Sequence, residues 1–460
     1  MTQKPKNSII LALAVILLEL IGGMQIYLSQ LVMPIMATEF EANHLYGVMS
    51  GVMTIAGLVG LPIGQYLLQK FRLPPLLIVV TAVIAACGVI KAISPNIAVY
   101  LAANATGALF GGVLGMASIG AVALGLSGRA RQLTLAFASA SWVVSSIVGP
   151  AYAAWITHVL SWRWAMVCYL PLLLAIRVLM AINIDTSKAK TSKPNFKFST
   201  IIFIVLAVSV TLIPAAGWVK IAALVGGAAV LGYVVTQLMP PGTFWDSKPR
   251  KMALAGMFFL TSSYFTADQL VALTAHDLFN FDAKDIGIVI TGGGLGWALL
   301  GVYCGFRPAN TRRKYRLRSV LGLAMIMLGT AAVSVIILAG VRLENPLIVF
   351  TGLWTFSGIG MGLVYLDTMN IFFDDPVEDD GITIEKMASS SVIVEQLATF
   401  MFIPPIVSVA AMSFGAGGEV NPVPYGATWV ITAALGVFAL MYLLRAYPVE
   451  RPDSANQTMA

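Results

Sequence analysis

Stretches of about twenty apolar residues recur from one end of this chain to the other, separated by short polar gaps. A helix needs roughly 20 such residues to cross a hydrocarbon core about 30 Å thick, and it satisfies its own backbone hydrogen bonds as it does so. About fourteen stretches stand out, at 9–36, 46–70, 73–93, 96–126, 132–158, 162–184, 200–218, 220–240, 251–275, 284–306, 319–341, 346–372, 388–412 and 425–446. The expected fold class is an all-α polytopic membrane protein with about 14 transmembrane helices. The first stretch is too long for the apolar region of a cleaved signal peptide and lacks the small-residue cleavage site, so it is expected to stay as a helix.

Composition closes the other routes. Only 11% of the 460 residues are charged and 58% are hydrophobic, whereas a soluble surface needs about a quarter of its residues charged. A disordered chain, a coiled coil, a secreted disulfide scaffold and a free nucleic-acid binder are excluded. Cys87, Cys168 and Cys304 each sit in an apolar run with no metal or redox spacing and read as buried small hydrophobes.

Basic loops resist translocation, so Lys and Arg mark the cytoplasmic side. With both termini placed in the cytoplasm, 23 of the 28 basic residues fall inside. That asymmetry supports an even helix count. No loop exceeds about fifteen residues, which argues against a catalytic head and leaves function to the helices and short connectors. The stretches Asp185 to Ser199 and Arg307 to Ser319 read as topology anchors. The acidic run from Asp374 to Asp380 has no His or Cys beside it and reads as a solvated connector, so no metal and no cofactor is expected.

Transporters are often built from six-helix repeats, and the stretches divide as six, two and six. The expected organisation is an N-terminal six-helix bundle over 1–184, a cytoplasmic linker over 185–199, an inserted helix pair over 200–240, a C-terminal six-helix bundle over 251–446 and a cytoplasmic tail over 447–460. Small residues such as Gly107, Gly111 and Gly115, or Gly358, Gly360 and Gly362, let helices approach closely. The glycines between Gly292 and Gly296 lie inside an apolar span and read as packing rather than nucleotide binding.

The run from Trp142 to Trp155, with Ser145, Gly149-Pro150, Ala153 and Ala154, followed by Ser161-Trp162-Arg163-Trp164, resembles the fifth helix and following loop of major facilitator exporters. Met33-Pro34-Ile35, Tyr46-Gly47 and Pro62-Ile63 resemble the first two helices of the fourteen-helix drug:proton antiporter branch, the EmrB/QacA type. The resemblance implies a major facilitator fold and an exporter, with Ser145, Gly149 and Pro150 as the antiporter motif packing at the interface of the halves. It also shows departures. Gln25 and Gln69 stand where the family has acidic residues, and Gly107 where it has an Arg.

An ionisable group at the bilayer centre costs about 2.5 to 3.5 kcal/mol on insertion scales, so each is a functional candidate. Glu19, within Leu18-Glu19-Leu20, is the candidate proton-coupling carboxylate, with Asp268 as its partner site near His276 and Asp277. Arg177, Asp367 and Glu395 lie near the cytoplasmic ends of their helices and read as a cytoplasmic charge lock. Gln25, Tyr27, Gln30, Trp142, Tyr264 and Trp354 supply the polar and aromatic groups of a candidate substrate cavity.

The sequence therefore points to a non-enzymatic secondary transporter, a monomer in a bacterial inner membrane with both termini cytoplasmic. It is expected to export an amphipathic organic small molecule by alternating access in exchange for protons. An exporter or facilitator of one metabolite, lipid or siderophore without drug-type proton coupling remains open beside it, as does, more distantly, a polytopic membrane enzyme.

Overall fold

The computed structural model describes residues 8–125, 128–184, 202–203, 205–206, 209–210, 217–373, 382, 384–414 and 420–447. The side chains of Gln69 and Trp142 lie outside the described residues, as do the acidic run after Phe373 and most of the first member of the expected inserted pair.

The protein is all-α. In chain order its helices are α1 (Ser8–Glu39), α2 (Tyr46–Lys70), α3 (Leu73–Ala92), α4 (Ile97–Gly125), α5 (Gly128–Val159), α6 (Trp162–Ala165), α7 (Leu170–Asn183), α8 (Gly217–Leu238), α9 (Pro249–Asp277), α10 (Ala283–Phe306), α11 (Arg312–Leu338), α12 (Pro346–Phe373), α13 (Ile384–Ala410) and α14 (Pro422–Leu443). Short α6 and α7 follow one another along a single apolar span, Trp162–Asn183, interrupted by a turn ahead of Pro171. Among the described residues, ten helices are long and apolar enough to cross a membrane, so the chain is a multi-pass membrane protein.

Local chemistry explains where the helices begin and end. Pro sits in the first turn of α3, α7 and α14, where its missing N–H breaks no helical bond. Asn96 and Asn421 accept from the backbone N–H groups of Val99 and Val423, both at 3.0 Å, and so cap α4 and α14. Helix α11 starts well before the apolar run that predicts it. Thr311 caps it by accepting from the N–H of Lys314, and Arg312 to Arg318 continue the helix outside the apolar stretch. Its far end closes on Gly340, whose φ of +60° is a left-handed conformation that costs glycine nothing. Pro34, Pro62, Pro150 and the pair Pro404-Pro405 lie inside helices, and neighbouring helices make such breaks tolerable in a membrane.

Contacts divide the chain into two compact units. The first comprises Met1–Gly227 and Ala275–Thr291, the second Ala228–Thr274 and Gly292–Ala460. The division thus falls within α8, and the turn from α9 into α10 goes with the first unit.

In the first unit α1 packs on α5 and α7, and α4 packs on α2 and α3. The core is built from Leu11, Ala14, Val15 and Ile21 of α1, Leu73, Leu77 and Val80 of α3, Val113 and Ala117 of α4, and Leu173, Ile176 and Met180 of α7. The α2–α4 crossing is glycine on glycine. A Cβ on Gly112 would fall on the carbonyl of Gly57, and one on Gly60 on that of Leu109. Of the expected packing glycines of α4, Gly107 lies at contact distance from Cys87 of α3, while Gly111 and Gly115 face open space among the described residues and Gly112 makes the close approach to α2.

The second unit is organised around α9. Its residues Ala253, Leu254, Ala255, Met257, Leu260 and Ala267 are fully buried. So are Thr261, Ser262, Ser263 and Thr266, which lower its hydropathy below that of a lipid-facing helix. Neighbouring helices rather than lipid surround these hydroxyls, and most satisfy themselves locally. Thr261 donates to the Met257 carbonyl at 2.8 Å, Ser262 to that of Phe258 at 2.6 Å, and Ser263 reaches α14 at the Thr432 carbonyl at 2.7 Å. Helix α12 is packed through small residues on two sides. Gly358 and Gly362 meet α10 at Gly293 and Trp297, and Gly360 meets α11 at Gly322. Close backbone approach is how helices associate where lipid is as apolar as they are.

Candidate functional site

The first unit holds the candidate proton-coupling group. Glu19 is half-buried on α1. Arg177 of α7 is 4% exposed, and the Glu19 carboxylate acts on it electrostatically. The same guanidinium donates from Nη1 to the sulfur of Met180 at 3.3 Å. Arg177 was expected in a lock with Asp367 and Glu395. The structure places it in the first unit, where Glu19 acts on it, and those two acids in the second unit, where Arg318 and Tyr365 bond to them.

The antiporter-motif positions hold α5 on α1. Ser145 is fully buried and lies 2.8 Å from both the Leu20 carbonyl and the carbonyl of Ser141 in its own helix. That contact sits one residue from Glu19. A Cβ on Gly149 would lie 3.1 Å from the Tyr27 side chain and 3.2 Å from the Met24 backbone, so a larger residue would need α1 to give by a few tenths of an ångström. Pro150 and Ala154 in turn receive Gly287, whose added Cβ would sit 3.3 Å from the Pro150 carbonyl and 2.5 Å from the Ala154 methyl. The motif's small residues therefore bring α5 against α1 and against the start of α10, all within the first unit.

Beside this seam is a crevice of about 10 Å³, room for about one water, lined by Ile21, Met24, Gln25, Leu28, Tyr152 and Tyr169. It includes Gln25 from the expected cavity set, and Tyr152, which sequence reasoning left out. Tyr152 is fixed by donating to the Ala165 carbonyl at 3.0 Å. Gln30, 2% exposed, lies further along α1, and Tyr27 faces Gly149.

The far end of the unit carries two polar clusters. Glu39 accepts from Trp162 Nε1 and from Arg163 Nη1, the latter at 2.7 Å, while Arg163 Nη2 donates to the Ser94 carbonyl at 3.3 Å. This clamp gives the Trp162-Arg163 sequence a structural role, tying the ends of α1 and α3 to α6. The second cluster joins Tyr46, Asp277 and His276. Tyr46 donates to Asp277 Oδ1 at 3.1 Å, and His276 Nδ1 lies 2.7 Å from the same oxygen.

The second unit brings Tyr264 and Trp354 together as expected: their rings stack at 5.1 Å and 17°. It also adds residues that the sequence did not single out. Trp297 of α10 packs edge-on against Tyr264 at 5.7 Å and against Tyr365 at 5.6 Å, and Phe265 lies 6.0 Å from it. Tyr365 donates its hydroxyl to Glu395 Oε1. Trp429 continues the series beyond Trp354 at 6.4 Å and is anchored by donating to Thr274 at 2.9 Å. Asp268 lies one turn along α9 from Tyr264 and is half-buried. Aromatic pairs of this kind contribute about 0.5–1.5 kcal/mol each beyond their buried area, so the ladder is a stiff wall as well as an apolar one.

Asp367 has a different surrounding. Its side chain is 2% exposed, it accepts from Arg318 Nη1 at 2.7 Å and from the Ala309 N–H at 2.9 Å, and Arg318 also donates to the Arg307 carbonyl at 2.8 Å. This staple fixes the connector from α10 to α11. Arg318 read as a topology anchor in the sequence because nothing in the order of residues shows that its guanidinium folds back on α12. Among the described residues no cluster of His, Cys, Asp and Glu has the makings of a metal site.

Two bodies of long apolar helices, embedded charges and an aromatic wall are features of a membrane transporter, and comparison with known proteins agrees. No curated protein matches the sequence. Solved structures of the same fold include a mutant of the peptide transporter POT, at 14% identity, 94% coverage of this chain and 93% of the other, and a TM-score of 0.62. The same fold recurs in that mutant bound to alafosfalin, at 14% identity, 94% and 93% coverage and a TM-score of 0.63. A POT family transporter bound to a thioalcohol-conjugated peptide gives 10% identity, 94% coverage of both chains and a TM-score of 0.64. These likenesses concern the fold alone, whereas the match of residues 15–379 to the Major Facilitator Superfamily concerns the sequence itself, and by it the chain belongs to that superfamily.

Proposed function

We propose that this protein is a secondary active exporter of the drug:proton antiporter branch, moving an amphipathic organic compound outward by alternating access in exchange for protons and acting as a monomer. The observation that carries this reading is the electrostatic action of Glu19 on buried Arg177, two ionisable groups carried by apolar helices that pack on one another. A carboxylate beside a buried guanidinium has two states of different electrostatic energy. Protonation of Glu19 removes its attraction for Arg177, and a ligand or proton that favours one conformation shifts the population by its differential affinity. The contact of Ser145 with the carbonyl of Leu20, one residue from Glu19, supports a role for α5 in that switch. Asp268, one turn from Tyr264, is the second proton-linked group in this scheme. The asymmetry of 23 of 28 basic residues supports cytoplasmic termini.

Proteoliposome reconstitution tests the reading. Wild type and Glu19→Gln are loaded with candidate substrates, lumenal pH is followed, and each gradient is imposed in turn. Proton movement that requires both a substrate gradient and Glu19 is the expected result. Full pH-gradient-driven transport by Glu19→Gln rejects it. Substrate flux without proton movement favours the alternative of a specific metabolite, lipid or siderophore, for which Gln25 in the crevice, in place of the family's acid, is the supporting feature.

A further inference from the structure

The start of α11 collects positive charge that the described fold does not neutralise. Arg307, Arg312, Arg313, Lys314 and Arg316 are exposed, as is Arg445 just past the end of α14. No Asp or Glu occurs from residue 286 to residue 343, and among the described residues no acid forms an ion pair with these cations. Like charges so close together repel one another. Arg312, Arg313 and Lys314 also occupy the first turn of α11, the positive end of the helix dipole, where acids are favoured and cations are not. Retention of Lys and Arg on the cytoplasmic side accounts for the sign of the cluster. It does not account for the concentration of charge at one helix start.

The cluster is held in place. Arg316 donates from Nε to the Leu444 carbonyl at 3.0 Å, and the Arg312 guanidinium lies 4.6 Å from the Tyr447 ring centre. Both contacts draw the start of α11 against the end of α14, two helices that pack on one another. The terminal nitrogens of Arg316 and the side chains of Arg307, Arg313 and Lys314 have no partner among the described residues. Apolar side chains that no protein covers continue from these charges into the spans. On α11 the order is Arg313, Leu317, Leu321, and on α14 it is Arg445, Met441, Val437, each at a spacing of four that keeps charge and apolar group on one helix face.

We propose that this edge of the second unit binds an anionic glycerophospholipid. Its phosphate is held by Arg313, Lys314 and the free end of Arg316, and its acyl chains lie along Leu317, Leu321, Val437 and Met441. A guanidinium fork suits a phosphate, clustered cations beside a span attract anionic headgroups, and the apolar faces select a lipid over a soluble phosphate. The proposal needs only the membrane fold of this unit and stands whether or not protons move through Glu19.

The test is native mass spectrometry of the full-length protein in detergent, titrated with dioleoylphosphatidylglycerol or dioleoylphosphatidylcholine. The two lipids share their chains and a phosphate and differ in net charge. Wild type is expected to bind the phosphatidylglycerol about tenfold or more tightly. Arg307→Gln with Arg313→Gln and Lys314→Gln removes cations that no described neighbour uses, and is expected to cut that preference to about twofold or less while leaving phosphatidylcholine binding unchanged. Lys188→Gln with Lys190→Gln and Lys193→Gln removes the same charge from another basic stretch assigned to that side, and is expected to keep the preference. Wild type with no preference overturns the proposal, as does equal loss in the two triple variants, which would tie the preference to total charge. Displacement of the phosphatidylglycerol by an equal concentration of glycerol phosphate also overturns it, since the site would then take a soluble phosphate. A second measurement needs no variant: photolabelling of wild type by phosphatidylglycerol carrying a diazirine in one acyl chain, read by peptide mass spectrometry. Label is expected at residues 317–321 and 437–441 in excess of that from the matching phosphatidylcholine, and equal label from both lipids overturns the assignment.

Discussion

Tyr46 and Asp277 lie 231 residues apart in the chain and share a hydrogen bond of 3.1 Å within the first unit. The Asp277 side chain is 1% exposed and Tyr46 fully buried, so neither can exchange its partner for bulk water. A hydrogen bond to a charged acceptor contributes about 1.5–3 kcal/mol, and a buried group left unsatisfied costs at least as much. Tyr46→Phe is therefore expected to lower the midpoint of thermal unfolding in detergent measurably. His44→Ala, at an exposed neighbouring position, is expected to leave it unchanged. Equal midpoints for Tyr46→Phe and wild type would remove this contact from the account of what holds the start of α2.

The Arg318–Asp367 pair makes a larger prediction. Asp367 is nearly inaccessible and bonded to both the guanidinium and the Ala309 N–H. Deleting one member of a buried pair costs about 3–5 kcal/mol, because the other charge stays behind, whereas replacing both costs much less. Asp367→Asn should express poorly or unfold at a markedly lower temperature. The double variant Asp367→Asn with Arg318→Met should be more stable than Asp367→Asn alone. A double variant worse than either single variant would show that the pair is not the unit of stability here.

Glycine substitutions separate close approach from simple presence in a helix. A Cβ on Gly358 would fall on the Gly293 carbonyl, which is backbone and cannot swing away, while one on Gly111 or Gly115 meets nothing within 4 Å. Gly358→Ala is expected to abolish or sharply reduce folded yield. Gly111→Ala and Gly115→Ala are expected to be neutral or to stabilise by up to about 1 kcal/mol through helix propensity. Gel-filtration yield and thermal unfolding read all three, and matching losses across them would contradict the packing described for α10 and α12.

These glycines show what the sequence could and could not convey. The number and order of apolar stretches follow from the thickness of a bilayer, so the fold class was legible from the chain alone. Helix ends were less so, because the apolar run marks the membrane and not the helix: α11 begins at Arg312, several residues before its hydrophobic stretch. Register was invisible. Gly111, Gly112 and Gly115 look alike in a list, and only the crossing of α2 and α4 selects Gly112. Charge partners were harder still. Arg177, Asp367 and Glu395 share similar depth, which suggests a lock, yet Arg318 and Tyr365 are the partners the fold brings to the two acids. The stack of Tyr264 on Trp354 was anticipated because both are aromatic in helices expected to line a cavity. Trp297 and Tyr365, which complete the wall, are equally aromatic and carry no sequence signal that sets them apart.

Outside the spans, Asp246 gives a pH prediction with a definite sign. Its hydrogen bond from Lys251 at 2.8 Å, the first of several causes, holds its carboxyl below the ordinary carboxylate value. A depressed folded value means that the ionised form stabilises the fold above the unfolded pKa of about 3.9, and that this contribution is lost as pH falls through the folded value. Asp246→Asn should therefore unfold below wild type at pH 7 and at pH 5 by a similar small margin. The two should converge only at a pH below about 4. A margin that closes between pH 7 and pH 5 would assign the effect to another group.

Glu19 and Arg177 yield the prediction that ties stability to mechanism. Both belong to apolar helices, and Arg177 is 4% exposed. Glu19→Gln keeps the shape of a protonated carboxyl but leaves a buried cation that has lost this counter-charge, at a cost of up to about 3–5 kcal/mol. Adding Arg177→Met removes the second charge, and the long apolar side chain fills much of the same volume. The double variant is therefore expected to unfold at a higher temperature than Glu19→Gln alone while remaining unable to couple substrate movement to protons. Thermal unfolding in detergent and lumenal pH in proteoliposomes read the two properties separately. Restored stability without restored coupling is the signature of a pair whose charges serve transport rather than architecture. If Arg177→Met instead restored proton coupling to Glu19→Gln, the proton would have to travel through another group, and Asp268 would be the next carboxylate to vary.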